Sequence, residues 1–511
     1  MTSSFDGLQF PLHPKTNKIS TSTVGKNILS AALAPIDANM SQAIKSEKHW
    51  RKTYPQYFKA LVEYGIRQTD DALNIAQIGL STAHQSFNFH RQGQSYNFSQ
   101  IMSLETQPLS TFKLQGDSDA EPEWYVPYQG QKLQGSALLT QIKCWQQRGI
   151  IEPSHAHALE QVIAHPEWLD LSDRTMVLFG AGSEAGPLTW LSKWKANIVA
   201  VDLQHEAVWE KILKTIQQGN ATLYAPSTEV LDPETSIAVL KSKLGANLLT
   251  QTPEIAQWLI NNPNRLDLAA IAYLDGEKHV RVAMAMDAIM QQVSQYKPDT
   301  SLMFMCTPTD IYAVPAEVTQ AAQRKFSHRS IWHKGLTQAI SQVTRQHFFS
   351  QNNPELIHSN NQLSYGIADC LVVEQGPNYA LAKRIQQWRA TLARTQGQTV
   401  SINIAPSTTT HSVTKNPLLK AAFHGASLFD VEAFSPETTN ALMAALWIYD
   451  LRDPQSVAQP NTQLQHPLEL MMSGANHGGL WRVAYLARSA LPFAALYGFA
   501  TEKLPFLERK K

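Results

Sequence analysis

At 511 residues the chain is long enough for two to four domains with large buried cores. Its 43 Lys and Arg nearly cancel 42 Asp and Glu, a net charge of +1 that gives no electrostatic case for a nucleic-acid partner. No run of about 18 uncharged apolar residues occurs, which argues against a spanning helix, and the opening MTSSFDGLQF lacks the basic and apolar parts of a signal peptide. Cys144, Cys306 and Cys370 lie far apart without metal-ligand spacing, so they read as reduced thiols of a cytoplasmic protein. Residues 1–170 read as a mainly α-helical N-terminal region. Tyr54–Phe89 is rich in helix formers, residues 103–123 look like a polar loop, and helical patterns follow at Gly135–Arg148 and Pro153–Ala164. His155, His157 and His165, in or beside the last of these, have no further ligands nearby and read as solvated.

At Asp173 the texture changes. Thr175–Phe179 is a short apolar run with the look of a buried strand. It feeds the turn Gly180-Ala-Gly182-Ser183-Glu184-Ala-Gly186-Pro187, a helical pattern from Leu188 to Lys195, and a second strand, Asn197–Val201, that ends at Asp202. Strand, glycine-rich turn, helix, strand and acid is the order a dinucleotide site needs. Glycines admit the pyrophosphate, the helix start supplies N–H donors, and the acid accepts from the ribose hydroxyls. Asp202 also favours NAD over NADP, since a carboxylate there repels a 2′-phosphate. Further strands are expected at Ala221–Ala225, Leu266–Tyr273 and Ser301–Cys306, with a Met- and Ala-rich core helix over His279–Val293. The succession implies a doubly wound α/β parallel sheet of Rossmann type.

The stretch Leu371–Thr410 is the densest in chemistry. Leu381, Ile385, Trp388 and Leu392 recur at helical spacing and make a buried stripe. Tyr379 and Lys383, four residues apart, share one helix face. An ammonium beside a phenol lowers its pKa; moving it from about 10 to about 7 takes roughly 4 kcal/mol. A sixth strand, Val400–Ala405, runs into Pro406 and a row of hydroxyl residues.

From about Asp173 to about Asp453 the chain resembles the short-chain dehydrogenase/reductase family. YALAK followed by INIAPSTTT is similar to that family's catalytic Tyr-x-x-x-Lys helix and the segment beyond its sixth strand that contacts the nicotinamide side, here Pro406 and Thr408. GAGSEAG resembles its glycine turn, with Phe179 for the usual Thr and Glu184 for the middle Gly. Ser435–Leu451 looks like its late helix beside the substrate pocket. The resemblance implies hydride transfer between nicotinamide C4 and an alcohol or ketone carbon. Tyr379 would give or take the proton, Lys383 would lower its pKa and hold the ribose, and Thr307 would bond the substrate oxygen. Gly180, Gly182, Ser183, Gly186 and Asp202 would hold the cofactor.

Departures accompany the likeness. The hydroxyl at the end of the fifth strand, Thr307, stands 72 residues before Tyr379, across an insertion over about 316–364; Thr309 and Ser364 are rivals for its role. Ala283 falls near the position of the family's helix-borne Asn. The domain reading is thus 1–170, a catalytic unit over 171–453, and a C-terminal extension over 454–511. In the extension His477 sits among glycines in a turn that reads as surface or as a flap over a pocket. Leu480–Phe499 is apolar but carries Arg482, Arg488 and Pro492, which favours docking on the core over a membrane contact. The expected activity is NAD-dependent oxidoreduction of a small molecule, with a homo-oligomer open. An epimerase or dehydratase with retained NAD, and an inactive dinucleotide-binding regulator, are the alternatives.

Overall fold

The computed structural model describes residues 6–12, 17–345, 347–415 and 417–503. The first five residues of the N-terminal reading and the last eight of the extension lie outside them. Seven strands make the main sheet: β1 (Ser110–Gln115), β2 (Thr175–Phe179), β3 (Asn197–Val201), β4 (Thr222–Ser227), β5 (Asp267–Ala270), β6 (Ser301–Cys306) and, after a smaller sheet described below, β9 (Val400–Ile404). Their order is β9-β6-β5-β2-β3-β4-β1, parallel throughout except for the antiparallel edge strand β1. The fold is mixed α/β with a large parallel-rich sheet, consistent with a Rossmann-like arrangement. From β2 the chain winds outward through β3 and β4, then returns to β5 on the other side. The winding direction therefore reverses between β2 and β5, and a crevice opens beyond their carboxyl ends.

The apolar runs form central strands because both faces are covered, and the strand period of two deals alternate residues to two cores. Val177, Phe179, Val199, Val201, Leu268 and Ala270 pack with residues of helices α1 (Thr21–Leu33), α2 (Thr69–Ser86), α4 (Glu277–Tyr296) and α5 (Pro377–Thr395). Met176, Leu178, Ile198, Ala200 and Ala269 face the other way, onto Trp145, Leu159 and α6 (Pro436–Arg452). Residues from the first 170 enter both layers. β1 lies where a polar loop was expected. Its one buried side chain is Phe112, the pattern of an edge strand, and its exposed Thr111, Lys113 and Gln115 hid it from hydropathy.

The expected helix Leu188–Lys195 is instead a single turn, α3 (Leu188–Leu191). The cause is tertiary: the Ser192 carbonyl accepts from the backbone N–H of Asn220 and Ala221 instead of continuing the helix, and Lys195 turns at φ +56°. A glycine at 219 is required there, since a Cβ would sit 1.9 Å from the Ser192 oxygen.

Beyond β6 the chain leaves the sheet on β7 (Ile311–Pro315) and returns on β8 (Ser364–Asp369), which pair antiparallel with Ile311 opposite Asp369. The Cys370 N–H bonds the Asp310 carbonyl at 3.0 Å, so the excursion closes at its root. Setting aside the 59 residues from Ile311 to Asp369 leaves Thr307 and Tyr379 13 positions apart instead of 72.

The C-terminal helix α7 (Ala487–Lys503) packs on residues 417–429. Gly498 and Gly425 make the approach possible; a Cβ on either would meet a carbonyl at 1.9 Å. No described helix is long and apolar enough to cross a membrane.

One buried acid in α6 yields a prediction. Asp450 accepts from Ser401 and Ser456, each at 2.6 Å, and burial raises its pKa to about 7. With the folded value above the unfolded one, its contribution to stability is complete below pH 4 and is lost as pH rises through about 7. Asp450→Asn is expected to stabilise the protein at pH 8.5 by on the order of 4 kcal/mol and to change little at pH 4. Thermal melts at the two pH values check it.

Candidate functional site

Helix α5 starts at Pro377, after Gly376 turns the chain at φ +83°. It is a central helix: beside the apolar stripe, Lys383, Arg384, Gln386 and Gln387 are buried as well. Its first turns lie at the carboxyl end of β6. There Tyr379, Lys383 and Thr307 come together. The Thr307 hydroxyl lies close enough to the Tyr379 phenol to act on its acidity. Lys383 Nζ sits 5.9 Å from the phenol ring centre and donates to the Met305 carbonyl at 2.8 Å and to Gln386 Oε1 at 3.2 Å.

The electrostatics differ from the expectation. Burial pushes the Tyr379 phenol up, with the neighbouring Thr307 hydroxyl acting against it. Burial also pushes the Lys383 ammonium down, with Cys306 and Asp310 acting against it. The ammonium bonds the Met305 carbonyl and Gln386, so the phenol is not lowered by it. Tyr379 is accordingly held in its protonated form, ready to donate.

The hydroxyl network extends outward. Thr307 Oγ1 lies 2.9 Å from Thr309 Oγ1, which accepts from Gln375 Nε2 at 2.6 Å. Thr309, a rival for the hydroxyl role, is thus Thr307's partner. Ser364 is not: it begins β8 and bonds His358 at 2.8 Å. Ala283 is buried inside α4, and what that helix offers the site is His279 in its first turn. The imidazole stacks on Tyr379 (5.2 Å between ring centres, 24° between planes) and lies 4.7 Å from Tyr273. It is 1% exposed, and neither ring nitrogen has a hydrogen-bond partner. Burial, with the Lys383 charge in addition, drives its pKa well down, so the ring is neutral. The sequence reading missed His279. The available signal was a His in the first turn of the helix that follows the fourth strand.

The glycine turn sits at the carboxyl end of β2. Gly180 has φ +88°, and a Cβ there would fall 2.6 Å from Ala272 Cα, beyond β5. The turn tightens through Ser183 N–H to the Gly180 carbonyl and Gly186 N–H to the Ser183 carbonyl. Asp202 caps it from β3, with one carboxylate oxygen accepting from Gly182 N–H and the other from Leu203 N–H, both at 2.8 Å. Burial raises its pKa against these bonds. Glu184 turns aside and accepts the His411 N–H at 3.0 Å, tying the loop after β2 to the segment after β9. In that segment the Thr408 hydroxyl donates to the Pro406 carbonyl at 2.8 Å and meets Thr439 Oγ1 at 2.7 Å, bracing it against α6.

Two histidines depart from expectation. His155 is fully buried, with Nδ1 2.9 Å from the Gly474 carbonyl. His477 is also fully buried and bonds Glu152 at 2.8 Å, so it is neither a surface turn nor a flap. Among the described residues no cluster of three or more His, Cys, Asp or Glu could hold a metal. A cavity of about 930 Å³ lies away from Tyr379, at the amino ends of the strands, bordered by His84, Phe98, Ser294 and Arg389.

No family model matches the chain, and no curated protein matches it. Among solved structures it is similar to the terminal R domain from the myxalamid PKS-NRPS biosynthetic pathway, at 13% identity over 63% of this chain and 72% of that chain. The TM-score is 0.30, a likeness too loose to bear on function.

Proposed function

We propose that the protein is a Rossmann-type oxidoreductase of the short-chain dehydrogenase/reductase kind, transferring hydride between NAD(H) and an alcohol or ketone. The observation that carries the reading is the meeting of Tyr379, Thr307 and Lys383 at the carboxyl end of β6. That end lies on the side of the sheet where the chain's winding reverses. Support from the cofactor side comes from Asp202. Each of its oxygens accepts one backbone N–H, which leaves lone pairs for ribose hydroxyls. Gly180, Gly182, Ser183 and Gly186 would border the pyrophosphate, and Pro406 and Thr408 the nicotinamide side. The one-turn helix α3 offers a weaker dipole there than a full helix, so Asp202 carries more of the binding.

When bound, NAD(H) supplies or accepts the hydride. Tyr379 exchanges the proton at the reacting oxygen, Thr307 orients the phenol, and Lys383 braces the helix against β6 through the Met305 carbonyl. The short helix favours a second reading, a dinucleotide binder without turnover. An epimerase or dehydratase with retained NAD uses the same residues.

The experiment is cofactor titration followed by turnover on a panel of ketones, alcohols and sugar nucleotides. Net NADH consumption supports the oxidoreductase. Product without net consumption points to the epimerase class, and binding without turnover to the regulator. Asp202→Asn is expected to weaken NADH binding about tenfold, the cost of one hydrogen bond to a charged acceptor, and to narrow the gap to NADPH. Calorimetric titration of both cofactors checks it.

A further inference from the structure

Three helices border the cavity at the amino ends of the strands. Gln77, Ser81 and Gln85 recur at a spacing of four along α2, and Gln291 and Gln295 do so along α4, so each set lies on one side of its helix. Arg389, Leu392 and Gln396 come from α5. Behind His84 and Arg389 stands Asp287, 3% exposed. It accepts from Arg389 Nε at 2.7 Å, from Arg389 Nη2 at 2.9 Å and from His84 Nε2 at 2.6 Å. Burial would raise the Asp287 carboxyl, but Arg389 and His84 outweigh it and hold it well below the ordinary carboxylate range. An ionised carboxylate only accepts, so His84 Nε2 donates to it, and His84 Nδ1 and Arg389 Nη1 are the nitrogens it leaves unused. Phe98 stacks on one face of the His84 imidazole, with 5.6 Å between ring centres and 23° between planes. The His84 side chain is 24% exposed, so its other face is the open one. Ser294 also borders the cavity, and its Oγ is buried without a hydrogen-bond partner.

We propose that this cavity is a binding site for a neutral oligosaccharide. Among the nineteen described residues that border it, Arg389 and His84 alone are ionisable, and Asp287 cancels the Arg389 charge. A phosphate or carboxylate would therefore find no unpaired cation there, and an ammonium no anion. Seven of the nineteen are Gln or Asn and three are Ser, side chains that each donate and accept. A sugar hydroxyl does both as well, so one carboxamide can meet two neighbouring hydroxyls, accepting from one and donating to the other. The open face of His84 and the side chains of Leu80 and Leu392 offer the C–H face of a sugar ring an apolar surface. The volume is about 930 Å³, near the upper end of the roughly 300–1,000 Å³ of small-molecule sites. Gln77 to Gln85 span about 12 Å of helix, more than a single ring covers, so two or three rings fit better than one. The site lies at the opposite end of the sheet from Tyr379 and does not depend on the oxidoreductase reading.

The test is calorimetric titration of the full-length protein without cofactor. Maltotriose, cellotriose, mannotriose and xylotriose are the neutral probes, with trigalacturonic acid as the charged alternative and adenosine as the flat one. At least one neutral trisaccharide is expected to bind in the millimolar range or tighter, and more tightly than trigalacturonic acid or adenosine. Ser81→Trp, at an exposed position of α2, fills the cavity and should abolish that binding while the thermal melt stays as in the wild type. Ser294→Ala removes one neutral hydrogen bond and should weaken it about fivefold. His84 and Arg389 are left in place, because Asp287 would lose its partners. The proposal is overturned if none of the four neutral probes binds, or if the acidic trimer or adenosine binds more tightly than all of them. Affinity equal to the wild type in both variants puts the sugar elsewhere and overturns it as well. A failure of NADH to bind or turn over bears on the proposed function alone, since no cofactor enters these titrations.

Discussion

Tyr379→Phe is expected to cut NADH-dependent carbonyl reduction by about a hundred- to ten-thousand-fold, the range contributed by a positioned general acid. The substitution removes one oxygen and little else. The ring keeps its stack on His279 and its contact with Tyr273, and α5 keeps its buried stripe. Loss of one polar contact of the phenol oxygen would cost at most about 1 kcal/mol of stability, too little to unfold a domain of this size. NADH affinity should therefore survive, and the loss should fall on kcat. Stopped-flow single turnovers separate the two. The pH profile gives a second check. A phenol raised by burial stays protonated through the neutral range, so reduction should show no decline from Tyr379 as pH rises from 6 to 9. A phenol lowered by its lysine would lose activity across that interval. Retention of full turnover by Tyr379→Phe on an identified substrate would sink the proposed function.

The parts of the chain that were legible before folding share one property: their signal is local. The six parallel strands were legible because most of their residues are apolar and covered on both faces, as in Thr175–Phe179, though the run expected at Leu266–Tyr273 ends as a strand at Ala270. Tyr379 and Lys383 read as a pair because helical spacing alone puts them on one face. What escaped depended on partners far along the chain. Helix α3 stops after one turn because the Ser192 carbonyl turns to Asn220 and Ala221, which no periodicity over 188–195 contains. The 72-residue gap between Thr307 and Tyr379 looked damaging until β7 and β8 paired and brought Cys370 back to Asp310. His155 and His477 were misjudged for the same reason, since their partners Gly474 and Glu152 lie 319 and 325 residues away. The phenol's raised pKa belongs here too: the lysine's neighbour was foreseen, its carbonyl partner was not.

The second large effect concerns those distant partners. Arg482→Met is expected to destabilise the protein by about 3–5 kcal/mol, because it strands a buried carboxylate. Glu152 accepts two bonds from Arg482, at 2.7 and 2.6 Å, and a third from His477 at 2.8 Å. Their side chains are 3% and 15% exposed for Glu152 and Arg482, so solvent screens the pair little. The His477 tautomer is fixed: Nδ1 accepts the Gly479 N–H at 3.0 Å, which leaves the proton on Nε2 for Glu152. Burial alone would raise the Glu152 pKa, but the Arg482 and His477 hydrogen bonds outweigh it and hold the value at about 2. Since the folded value lies below the unfolded one, the stabilisation is present above pH 4.5 and is lost as pH falls toward 2. The cluster joins the start of the helix at Pro153 to the C-terminal extension, so its failure should loosen the extension first. Hydrogen exchange at 474–482 is the measurement. Glu152→Gln combined with Arg482→Met should cost less than Arg482→Met alone, because no buried charge is left unpaired. If the double variant is as unstable as the sum of the singles, the two groups are independent and the coupling argued from their geometry is wrong.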